Sequence, residues 1–175
     1  ALFEQYGAEG WEALKAVIAA IPDGVPVILE AKHGDFNETA EAQACSAFNN
    51  LGVQAVTINP YLGYDSVQPF LRNPQKGVFL VCKSTNPGTV DLQELPLAGE
   101  GEPLHVYEKV ALLAQEWNTT NNLGLVVSGT DSEALRRVRQ LAPELWIMAP
   151  GVGIPGKELS TAVQVGLRSD GLGLL

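Results

Sequence analysis

Short apolar runs rich in Val, Ile and Leu alternate along the chain with segments of helical spacing. The six runs cover 25–29, 55–58, 77–82, 123–127, 145–148 and 171–175. Their hydrophobicity is continuous rather than alternating, which is typical of strands buried on both faces of a parallel sheet. Apolar residues recur at helical spacing in the segments 9–21, 37–52, 103–118 and 131–142, the last with Asp131 or Ser132 placed as a cap. The pattern predicts serial βα units and therefore an α/β fold.

Two α/β architectures are consistent with this pattern, an open doubly wound sheet and a (β/α)8 barrel. An open doubly wound sheet normally carries a Gly-rich phosphate turn after its first strand. The "GVGIPG" at 151–156 follows the fifth run instead and lacks an acidic residue about 20 positions later. In a (β/α)8 barrel, polar loops follow the strands and build the site. Such loops follow the runs here as "EAKHGD", "NPYLGYD", "KSTNPGT", "SGTDS" and "APGVGIPG", so we predict an α/β fold of the (β/α)8 TIM-barrel type with about six of its eight strands present.

Composition limits the classes of function. A chain of 175 residues that is 46% hydrophobic predicts one globular domain over 1–175, and its net charge of -9 argues against a nucleic-acid-binding face. The apolar runs are far shorter than the ~20 residues of a membrane helix, and no signal peptide opens the chain. Cys45 and Cys82 are interpreted as buried free thiols, which favours a reducing compartment. A cytoplasmic protein without membrane or nucleic-acid partners is predicted.

The first candidate for chemistry is the strand end "VPVILEAKHGD", residues 25–35. Residues two apart on a strand share a face, so Glu30 and Lys32 are expected to project to the same side. Asp35 follows over Gly34 and can reach back or outward. An ammonium flanked by carboxylates keeps its proton and is a poised proton donor. The alternative is a solvated ion pair at a strand end, and no metal site is predicted.

Two further loops offer groups for ligand binding. The "STNPGT" at 84–89 supplies hydroxyls and free backbone amides in a tight turn, and the glycines of "APGVGIPG" let the backbone approach a ligand. A helix is expected to follow the second loop, and its first N–H groups could meet an anion. Each loop could equally be a simple connection. His33 and His105 are interpreted as a loop residue and a helix-start residue, not as catalytic groups.

Long stretches of the chain resemble the orotidine 5'-monophosphate decarboxylase family over essentially its whole length. The resemblance is carried by "FEQYGAEGWEALKAVIAAIPDGVPVILEAKHGD", "VTINPYLGYDSVQPFL", "KGVFLVCKSTNPGT", "LGLVVSGT", "APGVGIPG" and "GLRSDGLGLL". It implies a barrel that converts orotidine monophosphate to UMP in pyrimidine biosynthesis without metal or organic cofactor. It also implies a homodimer with sites at the subunit interface. The motif "KHGDFN" resembles that of the family members fused to orotate phosphoribosyltransferase in bifunctional UMP synthases. A fused or associated orotate phosphoribosyltransferase is therefore expected.

The family signature D-x-K-x-x-D maps onto Glu30, Lys32 and Asp35. The resemblance implies that Lys32 protonates C6 of the pyrimidine as the carboxylate departs, with residue 30 against that carboxylate. It implies that Asp35 reaches the neighbouring subunit's site and that Thr39 lies near the ribose. Substrate contacts are also expected from Asn59, Ser84, Thr85, Pro87, Gly88, Pro150, Gly151 and Gly153.

The chain departs from the family pattern at several positions. Glu30 replaces the first Asp, Thr85 stands where the family generally has the Ser that meets the base, and Pro155 stands where many members place a Gln. The resemblance places family strands 1 and 2 before Ala1, and the end of strand 8 with the phosphate-binding Arg after Leu175. Two alternatives remain: an inert barrel that acts as a structural or interaction subunit, and a related Mg²⁺-dependent sugar-phosphate decarboxylase, which metal dependence would separate.

Overall fold

The computed structural model describes residues 2–99, 103–153 and 159–175. Across these residues, strands and helices alternate along a five-stranded sheet in the order β1-β2-β3-β4-β5. The strands are β1 (Ile28–His33), β2 (Ala55–Ile58), β3 (Gly77–Lys83), β4 (Leu123–Val127) and β5 (Trp146–Met148). The α-helices are α1 (Gly7–Ala19), α2 (Asn37–Cys45), α3 (Tyr64–Leu71), α4 (Val106–Trp117), α5 (Ser132–Leu141) and α6 (Leu159–Gly166). The β1–β2 and β4–β5 pairs are parallel, as the continuous apolar runs predicted.

The chain divides into two compact units, Ala1–Val78 and Phe79–Leu175. In the first unit, all four residues of β2 are buried. Helix α2 continues into a π-helical turn, Ser46–Asn50. Phe48 of that turn meets Phe70 of α3 edge to face, with ring centroids 6.4 Å apart.

The second unit is built around β4, whose five residues are all buried. Helix α5 packs against both α4 and α6, and its apolar side chains Ala134, Leu135 and Val138 are buried. Asp131 caps α5, because its Oδ1 accepts a hydrogen bond from the backbone N–H of Ala134 at 3.0 Å. The sequence had offered Asp131 or Ser132 for this position, and the structure selects Asp131.

Several boundaries differ from the sequence-based expectation. The first strand covers Ile28–His33 rather than 25–29, because Pro26 has no N–H to donate to a ladder and pairing extends instead into the charged residues. The run at 171–175 forms no named strand, but Leu174 makes an isolated parallel bridge to Ile147. Helix α3 was not predicted, since Pro69 lies inside this short segment. The six predicted strands are therefore five strands and one bridge among the described residues.

The two cysteines behave differently from each other. Both thiols are free, and Cys82 is buried whereas Cys45 is exposed. The prediction that both are buried is wrong for Cys45, because Ala40 and Ala44 form the buried face of α2 and Cys45 lies one step around the helix. Burial raises the pKa of the Cys82 thiol well above its usual range. Within the described part of the chain, no helix has the length and apolar character to cross a membrane.

Candidate active site

The carboxyl end of β1 is shaped by a bulge. On either side of the bulge, Leu29 pairs with Val56 and His33 pairs with Ile58. Three residues of β1, 30–32, therefore stand opposite a single residue of β2, Thr57. Lys32 has a φ of 52°, in the left-handed region that residues other than Gly rarely adopt. Bulges near functional sites re-aim side chains, and the pairing of β1 with β2 is irregular here, although exposed residues still alternate with more buried ones along β1.

Glu30 and Lys32 nevertheless meet. Lys32 Nζ donates a hydrogen bond to Oε1 of Glu30 within an ion pair, and both side chains are about half exposed. The hydroxyl of Thr57 donates to the other oxygen, Oε2. Partial burial acts to raise the pKa of Glu30, but the hydrogen bonds from Lys32 and Thr57 outweigh it, so the pKa lies below its ordinary value. Glu30 is therefore a carboxylate at neutral pH.

Asp35 does not complete the arrangement expected around the ammonium. Its Oδ1 accepts a hydrogen bond from the N–H of Phe36 at 2.9 Å, immediately before α2. In the part of the chain that the structure describes, no ion pair joins Asp35 to Lys32. Within the described residues Lys32 is therefore paired with Glu30 alone of the two carboxylates, and the role of Asp35 stays a prediction. Thr39 lies exposed on α2.

Asn59 follows β2 and lies beside the end of β1. Its N–H donates to the carbonyl oxygen of His33 at 2.6 Å, and its Oδ1 accepts from the N–H of Tyr61 at 2.9 Å. A Cβ added at Gly34 would lie 3.0 Å from the Asn59 Cβ, so a glycine permits this approach. Burial lowers the pKa of His33, which leaves its imidazole neutral at pH 7. His33 is the last residue of β1, so its interpretation as a loop residue is wrong, because strand pairing extends past the apolar run.

The second unit carries a buried lysine at the end of β3. Lys83 is 5% exposed, and its Nζ lies 3.0 Å from Oε1 of Glu94 and 3.6 Å from Oδ2 of Asp131. The same Nζ donates to the carbonyl oxygen of Ser84 at 2.9 Å. Hydrogen bonds from Lys83 and Thr89 hold the pKa of Glu94 below its ordinary value. The ammonium between two carboxylates is thus found at Lys83, where sequence reasoning did not place it.

The loop after β3 is held by a glutamine. The N–H of Ser84 donates to Oε1 of Gln93 at 2.8 Å, and Nε2 of Gln93 donates back to Oγ of Ser84 at 2.8 Å. Ser84 Oγ in turn donates to Oδ1 of Asn86 at 2.6 Å. Pro87 and Gly88 begin the 3-10 turn Pro87–Asp91 that follows. Gln93 was not recognised from the sequence.

Hydroxyl groups from two neighbouring strand ends meet in the second unit. Thr85 Oγ1 lies 3.3 Å from Ser128 Oγ, which lies 3.0 Å from Thr130 Oγ1. Gly151, with a φ of 93°, approaches so closely that an added Cβ would lie 3.0 Å from Thr130 Cγ2. The N–H of Gly129 donates to the carbonyl oxygen of Pro150 at 2.9 Å. Three predicted binding residues, Thr85, Pro150 and Gly151, are therefore neighbours of the same hydroxyl cluster.

Gly153 and Pro155 follow in the same loop. Gly153 has a φ of 83° and open space beside it. Pro155 lies outside the described residues, as does the rest of the segment 154–158. Among the residues that the structure does describe, no group of three His, Cys, Asp or Glu side chains is placed to hold a metal ion.

Taken with the fold, these residues define an α/β protein whose strand ends carry charged and hydroxyl groups in each of its two units. The sequence model of the Orotidine 5'-phosphate decarboxylase / HUMPS family matches residues 1–172. The chain belongs to this family.

Individual relatives agree with the assignment. An orotidine 5'-phosphate decarboxylase of Roseiflexus sp. (strain RS-1) is 47% identical over 171 residues, which cover 97% of this chain and 61% of the relative. A decarboxylase of the same name from Halorubrum lacusprofundi is 48% identical over 161 residues, covering 91% of this chain and 56% of the relative. The chain thus spans about 60% of the length of such curated relatives.

Solved structures give the same result. The structure of Leishmania donovani OMP decarboxylase superposes with a TM-score of 0.91 at 49% identity and covers 99% of this chain and 66% of its own. That of Leishmania donovani UMP synthase gives a TM-score of 0.92 at 50% identity and covers 99% of this chain and 38% of its own. The predicted family resemblance and the barrel-type α/β fold class are confirmed.

Proposed function

We propose that the protein catalyses the decarboxylation of orotidine 5'-monophosphate to UMP, a step of pyrimidine biosynthesis. The observation that carries this proposal is the ion pair between Lys32 and Glu30 at the bulged end of β1. These residues occupy the first two positions of the family signature. Membership of the family and the shared name of the curated relatives support the same reaction.

Lys32 has the chemistry that this reaction needs. As the bond from C6 to the carboxylate carbon breaks, CO2 leaves and the electron pair remains on C6. An ammonium already held in place stabilises this developing negative charge without reorganising solvent. The Nζ of Lys32 then gives a proton to C6, and the amine that remains recovers a proton from water. Glu30 fixes the ammonium and, in this proposal, lies against the substrate carboxylate.

The remaining residues are assigned to substrate binding and to the neighbouring subunit's site. Thr39 is assigned to the ribose, and Asp35 to the neighbouring site of a homodimer. Further substrate contacts are assigned to Asn59, Ser84, Thr85, Pro87, Gly88, Pro150, Gly151 and Gly153. Support comes from their hydroxyl, amide and closely approaching backbone groups, which suit a polar nucleotide. The homodimer, the cytoplasmic location and a fused or associated orotate phosphoribosyltransferase are parts of the same proposal.

An ultraviolet assay of orotidine monophosphate loss tests the proposal in the full-length native protein. Lys32→Ala is expected to lower kcat by about a thousandfold, because it removes the proton donor. Lys15→Ala is the matched control, since Lys15 is an exposed lysine that also pairs with a glutamate, Glu12. It should leave turnover unchanged. Turnover retained in Lys32→Ala, or absent from the native protein, would contradict the proposal.

The sugar-phosphate alternative has its own test. Its reaction requires Mg²⁺, so that activity would disappear when the native protein is treated with a chelator. The decarboxylation proposed here should persist under the same treatment. Activity with orotidine monophosphate that is lost on chelation and restored by Mg²⁺ would contradict the assignment of Lys32 as a donor acting without metal.

A further inference from the structure

Thr57 lies at the centre of the bulge that carries the lysine. Its side chain is completely buried. Its Oγ1 accepts hydrogen bonds from the N–H of Ala31 at 3.0 Å and from the N–H of Lys32 at 2.9 Å. The same hydroxyl donates to Oε2 of Glu30. A hydroxyl has one donor and two acceptor positions, so its whole capacity is used by three consecutive residues of β1.

The bulge explains why a hydroxyl is needed there. Three residues of β1 face only one residue of β2, so the ladder offers too few carbonyl oxygens for their N–H groups. A buried N–H without a partner is costly, and the Thr57 hydroxyl supplies the missing acceptor twice. Lys32 also has a φ of 52°, a conformation that persists only where the surroundings hold it. The two hydrogen bonds from Ala31 and Lys32 provide that constraint.

Through its hydrogen bond to Glu30, Thr57 also constrains the ion pair between Glu30 and Lys32. One oxygen of the Glu30 carboxylate accepts from Thr57 and the other accepts from Lys32 Nζ. The carboxylate is therefore fixed at both oxygens, although its side chain is about half exposed. Glutamate has one more methylene, and so one more rotatable bond, than the aspartate of the family signature. Thr57 restricts the freedom that this bond introduces.

We propose that Thr57 is a positioning residue for Lys32, acting through the Lys32 backbone and the Glu30 carboxylate. The hydroxyl holds the bulge in the one conformation that presents the ammonium, and it fixes the carboxylate that orients this ammonium. A misplacement of about 1 Å at a reacting centre can cost a hundredfold in rate, which is why a residue without substrate contact matters. This inference rests on the proposed function for its kinetic consequence, but not for its effect on Glu30.

The test compares Thr57→Val, which removes the hydroxyl at nearly constant shape, with Thr57→Ser, which keeps it. Ser66→Ala is the matched control, because Ser66 is also buried and its Oγ donates to the carbonyl oxygen of Gly63 at 2.7 Å, away from the pair. The first measurement is a carbon-13 NMR titration of the Glu30 carboxyl in the full-length protein. Thr57→Val is expected to raise that pKa by about half a unit, whereas the other two variants should match the native protein.

The second measurement is the kinetics of orotidine monophosphate decarboxylation. Thr57→Val should lower kcat about tenfold with KM changed less than about twofold, because the substrate contacts remain and only the donor is displaced. Thr57→Ser should restore kcat to within about threefold of the native value. A loss of stability alone would not produce this rescue pattern in a folded sample. Should Thr57→Val fail to fold, Thr57→Cys, with its weaker thiol, takes its place.

The outcomes distinguish a failure of the proposed function from a failure of the positioning role of Thr57. If the native protein shows no turnover, the proposed function fails, and the Glu30 titration still decides whether Thr57 positions the pair. If Thr57→Val leaves the Glu30 pKa and kcat as they are in Ser66→Ala, the positioning role is overturned. It is equally overturned if Thr57→Ser is as impaired as Thr57→Val, since the hydroxyl would then not be the group that matters.

Discussion

Arg139 binds the carbonyl oxygen of Gly166 through two nitrogens, Nε at 2.8 Å and Nη2 at 2.7 Å. Gly166 ends α6, and a cation at the carboxyl end of a helix is favourable because unpaired carbonyl groups gather there. The guanidinium also donates to the carbonyl oxygens of Ala142, Pro143, Leu145 and Gly173. Within the described residues no carboxylate pairs with it. Burial lowers its pKa to about 10, so Arg139 remains a cation at neutral pH.

Replacement of Arg139 should therefore destabilise the second unit. Arg139→Met keeps the length of the side chain but removes six hydrogen bonds to backbone carbonyl oxygens, and we expect the free energy of unfolding to fall by about 3 kcal/mol. Arg136→Met is the control on the same helix, because Arg136 is exposed and pairs with Glu133 at the surface. It should change the free energy by less than about 0.5 kcal/mol. Urea unfolding of the full-length protein measures both, and equal losses would contradict the prediction.

Gln93 should affect substrate binding rather than chemistry. Its amide holds both the N–H and the hydroxyl of Ser84, and Ser84 is one of the proposed binding residues. Gln93→Leu removes both hydrogen bonds, so we expect KM to rise about tenfold while kcat changes little. Gln75→Leu, at an exposed site of the first unit, is the control. A fall in kcat with constant KM would show that Gln93 has another role.

The strands were predictable where both faces are buried. The runs at 55–58 and 123–127 match β2 and β4 residue for residue, because continuous burial leaves a continuous apolar signal. The first strand was predicted at 25–29, but the residues of β1 that pair with β2 extend past Glu30 and Lys32. Hydrophobic periodicity carries no information on a bulge, which depends on how two strands pair.

The candidate site was predictable only where charge follows an apolar run. Lys32 and Glu30 stand out in the sequence for that reason. Thr57 is a single hydroxyl within "AVTI", and its partners lie 25 to 27 residues away, so no local pattern could reveal its role. Lys83 also follows an apolar run, but its carboxylate partners come from separate loops. It therefore resembled the ordinary end of a strand.

Glu108 links stability to pH in the second unit. Its side chain is buried, its Oε2 accepts from the N–H of His105 at 2.6 Å, and its Oε1 accepts from Nε of Arg137. Burial acts to raise the pKa of Glu108, but the hydrogen bonds from Arg137 and His105 outweigh it and hold the pKa below the ordinary value of 4.5. A carboxyl whose pKa is lowered by folding contributes stability above its unfolded pKa and loses it as the pH falls through the folded pKa.

Glu108→Gln should therefore lower the free energy of unfolding at pH 7, and the difference from the native protein should shrink once the pH falls below 4.5. Because the group is buried and charge-assisted bonds are lost, we expect a difference of about 2 kcal/mol at pH 7. Glu133→Gln, at an exposed position of α5, is the control and should show a much smaller difference. Urea unfolding between pH 3 and pH 7 measures the trend. A difference that stays constant across this range would show that the Glu108 carboxylate is not the source of the acid sensitivity.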